Sequence, residues 1–197
     1  MKVVLASANA GKLRELAALT APFGWELVSQ QALGIASAAE TGTTFADNSL
    51  IKARHAARSS GFAALADDSG IEVDALGGRP GVYSARYAGE HATDLQNLEK
   101  LLIELRDVPP ERRTARYRCV IAFVRGPDDP APMLAQGSWE GRIAAAPRGA
   151  GGFGYDPIFL PREARGQTAA ELGRDEKDAV SHRALALVAL REQLSAG

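Results

Sequence analysis

The segment Ala66-Asp67-Asp68-Ser69-Gly70 contains the residue types best suited to chemistry in this chain. Two adjacent carboxylates follow the apolar run at residues 62–66 and precede a glycine, a pattern that predicts a buried strand ending in an acidic pair. Carboxylates in such a place are costly unless a metal ion or a cationic side chain neutralises them. The alternative is a turn whose aspartates accept hydrogen bonds from nearby backbone amides. Spacing does not choose between Asp67 and Asp68, because strand neighbours point to opposite faces.

A second group of polar residues lies at 7–12, where a short apolar strand passes into a helix. Asn9 is a good N-cap residue. Lys12 falls in the first helical turn, where the helix dipole disfavours a cation, and an anion bound on the free backbone amides would resolve that conflict. The segment therefore predicts a phosphate-binding loop, although it is not a Walker A motif, because leucine rather than serine or threonine follows the lysine. The alternative is a solvated helix whose Glu15 offsets the charge.

Glu40, Asn48 and Lys52 mark the beginning of a long helix. Asn48 and Lys52 are four residues apart and so share one helix face. A solvated polar stripe would explain Lys52, but it explains Glu40 poorly, since nothing local requires a carboxylate there.

The glycine-rich stretch at residues 149–154 matches the string GxGxxG, yet a dinucleotide fingerprint needs a helix after it and here a strand is predicted. We interpret the stretch as a flexible loop that presents Phe153 for stacking and Asp156 for polar contacts, the alternative being a plain surface loop. Lys177, His182 and Arg183 cluster around the start of the last helix. Cations oppose the dipole there, which is consistent with an acceptor-rich ligand, the alternative being an ordinary surface cluster.

Composition excludes several classes of protein. The formal net charge of the 197 residues is −1, so no global basic field exists to hold nucleic acid. The single cysteine, Cys119, cannot form an internal disulfide and lies in an apolar run, which predicts a buried structural thiol and fits a reducing cytoplasm. No apolar run approaches the ~20 residues of a membrane span, and the N-terminal apolar run is too short for a signal peptide. We expect a soluble, cytoplasmic protein without membrane or nucleic-acid partners.

The elements that must position these groups follow from hydrophobic periodicity and capping signals. We predict strands at residues 2–6, 25–28, 62–66, 70–73, 116–125, 133–143 and 155–160, and helices at 10–20, 44–60, 94–106 and 179–194, with a short helix capped by Thr168 and Glu171. Strands and helices alternate before a hairpin, an order that predicts an α/β fold with a mixed sheet.

Together these segments resemble the inosine/xanthosine triphosphate pyrophosphatases, the enzymes that hydrolyse non-canonical purine nucleoside triphosphates. The resemblance covers nearly the whole chain and is carried by Ser7-Ala8-Asn9-Ala10-Gly11-Lys12, Glu40-Thr41-Gly42-Thr43-Thr44-Phe45, Asn48 with Lys52, Ala66-Asp67-Asp68-Ser69-Gly70, residues 77–87, Gly152-Phe153-Gly154-Tyr155-Asp156-Pro157 and Ser181-His182-Arg183. The chain departs from the family pattern at Asp47, where glutamate is usual, and at Ser49, where alanine is usual.

The resemblance implies a fold and a reaction. The fold is a single domain over residues 1–197, an elongated mixed β-sheet flanked by helices, with two lobes and the active-site cleft between them. The reaction is the hydrolysis of ITP, dITP or XTP to the monophosphate and pyrophosphate, with Mg²⁺ as cofactor and a homodimer as the usual form.

The resemblance also implies roles for individual residues. Asp68 is the general base and a magnesium ligand, and Glu40 lies on the metal. The triphosphate is held by Ser7, Ala8, Asn9, Ala10, Gly11 and Lys12, while Lys52 stabilises the departing pyrophosphate and Ser69 touches the substrate. The base and sugar are held by Phe153, Gly154, Tyr155, Asp156, Lys177, His182 and Arg183.

Two rival functions differ in particular residues. The Maf-like nucleotide pyrophosphatases share a Leu-Ala-Ser start, but they continue with a Pro-Arg-Arg type of segment where this chain has Ala10-Gly11-Lys12. A nucleotide sensor that does not hydrolyse its ligand has no need of the acidic pair, because added carboxylates oppose the binding of phosphates.

Overall fold

The computed structural model describes residues 1–196, which form a six-stranded mixed sheet with helices packed against it. The strands are β1 (Lys2–Leu5), β2 (Glu26–Ser29), β3 (Ala63–Val73), β4 (Thr114–Val124), β5 (Met133–Ile143) and β6 (Phe159–Pro161). The helices are α1 (Ala10–Thr20), α2 (Phe45–Ser60), α3 (Asp94–Glu104), α4 (Arg174–Val180) and α5 (His182–Ala196). The strand order is β2-β1-β3-β4-β5-β6, with β1 parallel to β2 and β3, and β6 antiparallel to β5. The predicted α/β class with a mixed sheet is confirmed.

The chain divides into two compact units. Unit 1 comprises Met1–Asp68, Cys119–Gly137 and the chain from His182 onward, and unit 2 comprises Ser69–Arg118 and Ser138–Ser181. Strands β3, β4 and β5 therefore each contribute residues to both units. The single domain and the cleft between two lobes stay predictions.

Within the described 196 residues, no helix combines the length and the hydropathy that crossing a membrane requires.

Unit 1 buries both faces of its part of the sheet. Strands that are buried on both faces have apolar residues at nearly every position, and β1 is such a strand. One face packs against α1 and α5 through Leu16, Leu187 and Leu190. The other packs against α2 through small side chains, among them Ala53 and Ala57. Helix α2 is therefore held firmly against the sheet beside the end of β1.

Helix α2 begins one residue later than predicted. Thr44, rather than Thr43, occupies the N-cap, and its hydroxyl accepts a hydrogen bond from the backbone of Asp47. Gly61 ends the helix in the left-handed region at φ 75°, where glycine carries no Cβ penalty.

Unit 2 has its own core. Helix α3 begins with a capping box between Thr93 and Gln96, and its Leu98 and Leu101 belong to one core cluster with four aromatic residues of unit 2. Those aromatic residues are Tyr117, Trp139, Tyr155 and Phe159.

Strand β3 runs straight through the acidic pair. Two short strands flanking the aspartates were expected from the sequence, but the structure has one strand of 11 residues. The carboxylates do not end the strand because cationic side chains neutralise them. Gly70 lets the strand continue close to its neighbours, since a Cβ there would overlap the carbonyl of Gly81 and the hydroxyl of Ser84.

The C-terminal third differs from the predicted elements in three places. The predicted strand at 155–160 is a 3₁₀ turn, Asp156–Ile158, followed by the short β6, because the side chain of Asp156 closes a turn on the backbone of Phe153. The predicted helix at Thr168 is absent from the described residues, since the Thr168 hydroxyl donates to the carbonyl of Arg148 instead of capping. The predicted closing helix at 179–194 is α5, which begins only at His182, and a separate helix that was not predicted, α4, precedes it.

Gly137 in β5 sets how closely α5 approaches the sheet. A Cβ on Gly137 would overlap the carbonyl of His182 and lie 2.6 Å from the backbone nitrogen of Ala186. We expect Gly137→Ala to destabilise the protein by about 1–3 kcal/mol, because overpacking forces the backbone to shift. Urea unfolding measures this change. Gly126→Ala, where a Cβ meets open space, is the control. Equal unfolding midpoints for the two variants would contradict the prediction.

Candidate active site

Asp67 is a buried anion held by two cations. Its Oδ2 lies 3.0 Å from Nζ of Lys12 and 3.3 Å from Nε of Arg183, and its exposure is 1%. Arg183, from the start of α5, is equally buried and also pairs with Glu15 of α1. Burial opposes ionisation of Asp67, but the positive charges of Lys12 and Arg183 outweigh it and hold the pKa of this carboxyl well below its usual range. Asp67 therefore stays ionised and ties α1 and α5 to β3.

Asp68 lies in a different environment. Its Oδ1 is 3.0 Å from Nζ of Lys52, and its Oδ2 accepts a hydrogen bond of 3.3 Å from the side-chain amide of Asn48. Burial raises the pKa of Asp68, and the nearby charges of Lys52 and Lys12 offset that effect only in part. Adjacent carboxyls whose pKa values move in opposite directions are typical of sites that assign one group to proton transfer.

Lys52 joins Asp68 to Glu40. Its Nζ lies 2.8 Å from Oε1 of Glu40, so two carboxylate oxygens from separate segments meet at one ammonium group. Burial favours the neutral amine, but the charges of Asp68, Asp67 and Glu40 outweigh it and raise the pKa of Lys52. Helix α2 thus places a fixed positive charge between the two carboxylates.

Glu40 and Asp68 also have the donor chemistry of a magnesium site. Mg²⁺ takes oxygen ligands and is usually bound by one or two carboxylates together with substrate phosphates and water. Two carboxylates that already converge on one cationic position fit that requirement. Within residues 1–196, no group of three or more histidine, cysteine or acidic side chains is placed to hold a metal ion.

The loop at residues 7–12 is ordered by its own side chains. The Ser7 hydroxyl accepts from the backbone of Asn9, and Asn9 Oδ1 accepts from the backbone amides of Gly11 and Lys12. Ala8 and Ala10 are exposed. The conflict between Lys12 and the helix dipole is resolved by Asp67 in this structure. Triphosphate binding at the loop stays a prediction.

A second cluster lies within unit 2. Asp156 Oδ2 accepts from Nζ of Lys177 at 2.7 Å and from the backbone of Phe153 at 2.8 Å. The Lys177 ammonium also lies 5.1 Å from the centroid of the Phe153 ring. The Gly154 amide donates to Asp94, and the Tyr155 hydroxyl donates to the carbonyl of Ser84.

The residues predicted to hold base and sugar are thus divided between the two units. Those of the 153–156 loop and Lys177 form one cluster in unit 2. Ser69 also belongs to unit 2. His182 and Arg183 belong to unit 1, where Arg183 contacts Asp67 and Glu15.

Comparisons with known proteins add an independent line of evidence. The sequence profile of the Ham1 family matches residues 3–193. The chain belongs to the Ham1 family. It is 57% identical over 197 residues to the dITP/XTP pyrophosphatase of Shigella flexneri and 55% identical to that of Escherichia coli (strain K12), covering 100% of this chain and 99% of each relative. The solved structure of a HAM1 protein from Coxiella burnetii superposes with a TM-score of 0.89 at 45% identity, with both chains covered in full.

Some contacts of this Ham1 chain had no usable signal in the sequence. In the alternative of a solvated helix, Glu15 would offset the charge of Lys12 locally, yet it pairs with Arg183, which lies 168 residues further along. Asn48 was noted for sharing a helix face with Lys52, but nothing in the spacing indicated that its amide reaches Asp68. Asp94 likewise gave no sign that it would cap the amide of Gly154.

Asp67 makes the stability of this Ham1 protein depend on pH. A folded-state pKa below the unfolded value means that the ionised carboxylate contributes stability above about pH 4, and that this contribution is lost as the pH falls below it. We expect Asp67→Asn to lower the free energy of unfolding at pH 7 by about 3 kcal/mol or more, since it leaves buried cations undercompensated.

Denaturant unfolding from pH 7 downward measures the effect. The difference between wild type and Asp67→Asn should narrow on acidification, because protonation of this carboxyl in the unfolded wild type shifts the equilibrium towards unfolding. The exposed Asp128→Asn, in the same unit, is the control and should follow wild type throughout. A constant difference across the pH range would contradict the assignment.

Proposed function

We propose that this chain hydrolyses inosine and xanthosine triphosphates, including dITP, to the monophosphate and pyrophosphate. The observation that carries the proposal is the full-length identity of 55–57% with proteins named dITP/XTP pyrophosphatases. The group formed by the buried Asp68 with the partly exposed Lys52 and Glu40 supplies the means, since it combines a base, a cation and oxygen ligands for a metal. Within the proposal, the chain acts as one domain and as a cytoplasmic homodimer.

Asp68 accepts the proton of the water that attacks the α-phosphorus. A general base works best when its pKa lies near the working pH, and burial moves the pKa of Asp68 in that direction. Lys52 contacts one carboxylate oxygen of Asp68, so a positive charge stands beside the base.

Lys12 and Lys52 stabilise the negative charge that develops on the departing pyrophosphate. Fixed cations in a buried site are effective because they need little reorganisation during the reaction. Each lysine is held by an aspartate in the ligand-free protein, and phosphate oxygens compete for that contact. When bound by Glu40 and Asp68, Mg²⁺ would neutralise phosphate oxygens and lower the pKa of a bound water. The loop at residues 7–12 orients the triphosphate.

The base is selected by hydrogen-bond donors. Hypoxanthine and xanthine present a 6-keto acceptor, whereas adenine presents a 6-amino donor. Lys177, in unit 2, offers a donor, which matches an acceptor and opposes a donor, and buried groups left unpaired by the wrong base give strong discrimination. The loop carrying Phe153 and Asp156 contributes stacking. It disfavours guanine because the 2-amino group of guanine is crowded or left unpaired beside this loop.

Nucleotide preference tests the proposed function directly. We expect kcat/KM to fall in the order ITP or XTP, then GTP, then ATP, with pyrophosphate as the product and with activity dependent on added Mg²⁺. Pyrophosphate release with and without the metal is the measurement. Equal kcat/KM for ATP and ITP would leave only an unselective pyrophosphatase. Binding of ITP without pyrophosphate release would indicate a sensor.

Asp68→Asn tests the base. The substitution keeps the shape of the side chain but removes the proton acceptor, so kcat should fall by roughly 10²- to 10⁴-fold. Binding of ITP, followed by calorimetry, should survive. Asp128→Asn removes the same charge from an exposed position and should keep wild-type kcat. Retention of more than half the wild-type kcat in Asp68→Asn would exclude the role.

A further inference from the structure

Asn48 links Asp68 to the segment that carries Glu40. It is the fourth residue of α2, it is completely buried, and it faces the same side of the helix as Lys52. A buried amide normally has its donor and acceptor groups satisfied, so the partners that it takes report what it does.

The two partners of Asn48 are the base and the segment that carries Glu40. Its Nδ2 donates to Oδ2 of Asp68 at 3.3 Å, and its Oδ1 accepts from the backbone of Gly42 at 2.8 Å. Because the Gly42 N–H can only donate, it fixes which end of the amide faces it, and the NH₂ group is left to face Asp68. The amide orientation is therefore set by the backbone.

Gly42 is shaped for this contact. A Cβ at Gly42 would lie 2.7 Å from Oδ1 of Asn48 and 2.6 Å from Cβ of Asp47, so the backbone approaches the amide more closely than a larger residue allows. A second link, through Lys52, joins Glu40 to the other oxygen of Asp68. Phosphate oxygens compete for the lysine, whereas a neutral amide attracts them far less. We therefore expect the Asn48 link to persist when substrate binds.

We propose that Asn48 is a positioning residue for the reaction: its amide holds Oδ2 of Asp68, so that Oδ1, the oxygen that Lys52 contacts, is left to accept the proton of the water. This inference rests on the proposed function for its catalytic meaning. The orientation of the carboxylate itself is a property of the protein without substrate.

Two substitutions separate the contacts of Asn48. Asn48→Ala removes both contacts. Asn48→Asp keeps an acceptor for the Gly42 amide but faces Asp68 with a carboxylate in place of a donor. We expect kcat for ITP to fall roughly 10- to 100-fold in Asn48→Ala, the size typical of losing a partner that orients a site ligand, with KM unchanged. Asn48→Asp should lose at least as much.

Ser49→Ala is the matched control. Ser49 is the next residue of α2, it is equally buried, and its hydroxyl donates to the carbonyl of Ala46 rather than to the site. Its kcat and KM should equal those of wild type. Thermal unfolding of all three variants shows whether a loss of activity reflects a loss of folded protein. Wild-type kcat in Asn48→Asp would mean that Asn48 serves only to accept from the Gly42 amide, and would overturn the proposal.

Crystal structures of Asn48→Ala and Ser49→Ala without nucleotide give a readout that does not require activity. The Asp68 carboxylate should be rotated in Asn48→Ala and unchanged in Ser49→Ala. An unrotated carboxylate overturns the positioning role even if activity falls. If wild type releases no pyrophosphate from ITP, the proposed function fails, while the orientation of Asp68 still decides the role of Asn48.

Discussion

The site depends on the neutralisation of two adjacent buried carboxylates. Asp67 and Asp68 sit in the middle of a buried strand, where unpaired charges would cost several kcal/mol each. Lys12 and Arg183 neutralise the first, and Lys52 neutralises the second. Helices α1, α5 and α2 each supply one of these cations, so their positions against β3 are tied to the charges they carry.

The different partners of Asp67 and Asp68 suit these two adjacent carboxylates to different roles. Asp67 has two cations and a lowered pKa, and it acts as an anchor between elements. Asp68 has one cation, one amide and a raised pKa, which suits a group that gains and loses a proton. The difference arises from which helices reach each face of the strand, and it requires no difference in residue type.

Local signals predicted the elements that are governed by local forces. Alternating and periodic apolar residues gave β1, α1, α2 and α3 to within one or two residues, and the acidic pair was correctly placed next to cations. Contacts between residues far apart in the chain were harder to predict from the sequence. The spacing could not show that Arg183 meets Asp67, because these residues are distant in sequence and meet only after α5 has packed. The strand predicted at 155–160 failed because a side-chain contact of Asp156 overrides its apolar pattern.

The ion pair between Arg183 and Asp67 has a consequence for synthesis on the ribosome. Unit 1 contains the first described element, β1, yet it also needs α5, the last described one. Unit 2 is complete in sequence once Ser181 has been added. Domains tend to fold as they emerge, N-terminal first, but here the N-terminal segment must wait with Asp67 and Glu15 lacking their arginine. A chain that stops before α5 lacks both the partner of Asp67 and Glu15 and the leucines that α5 adds to the core of unit 1.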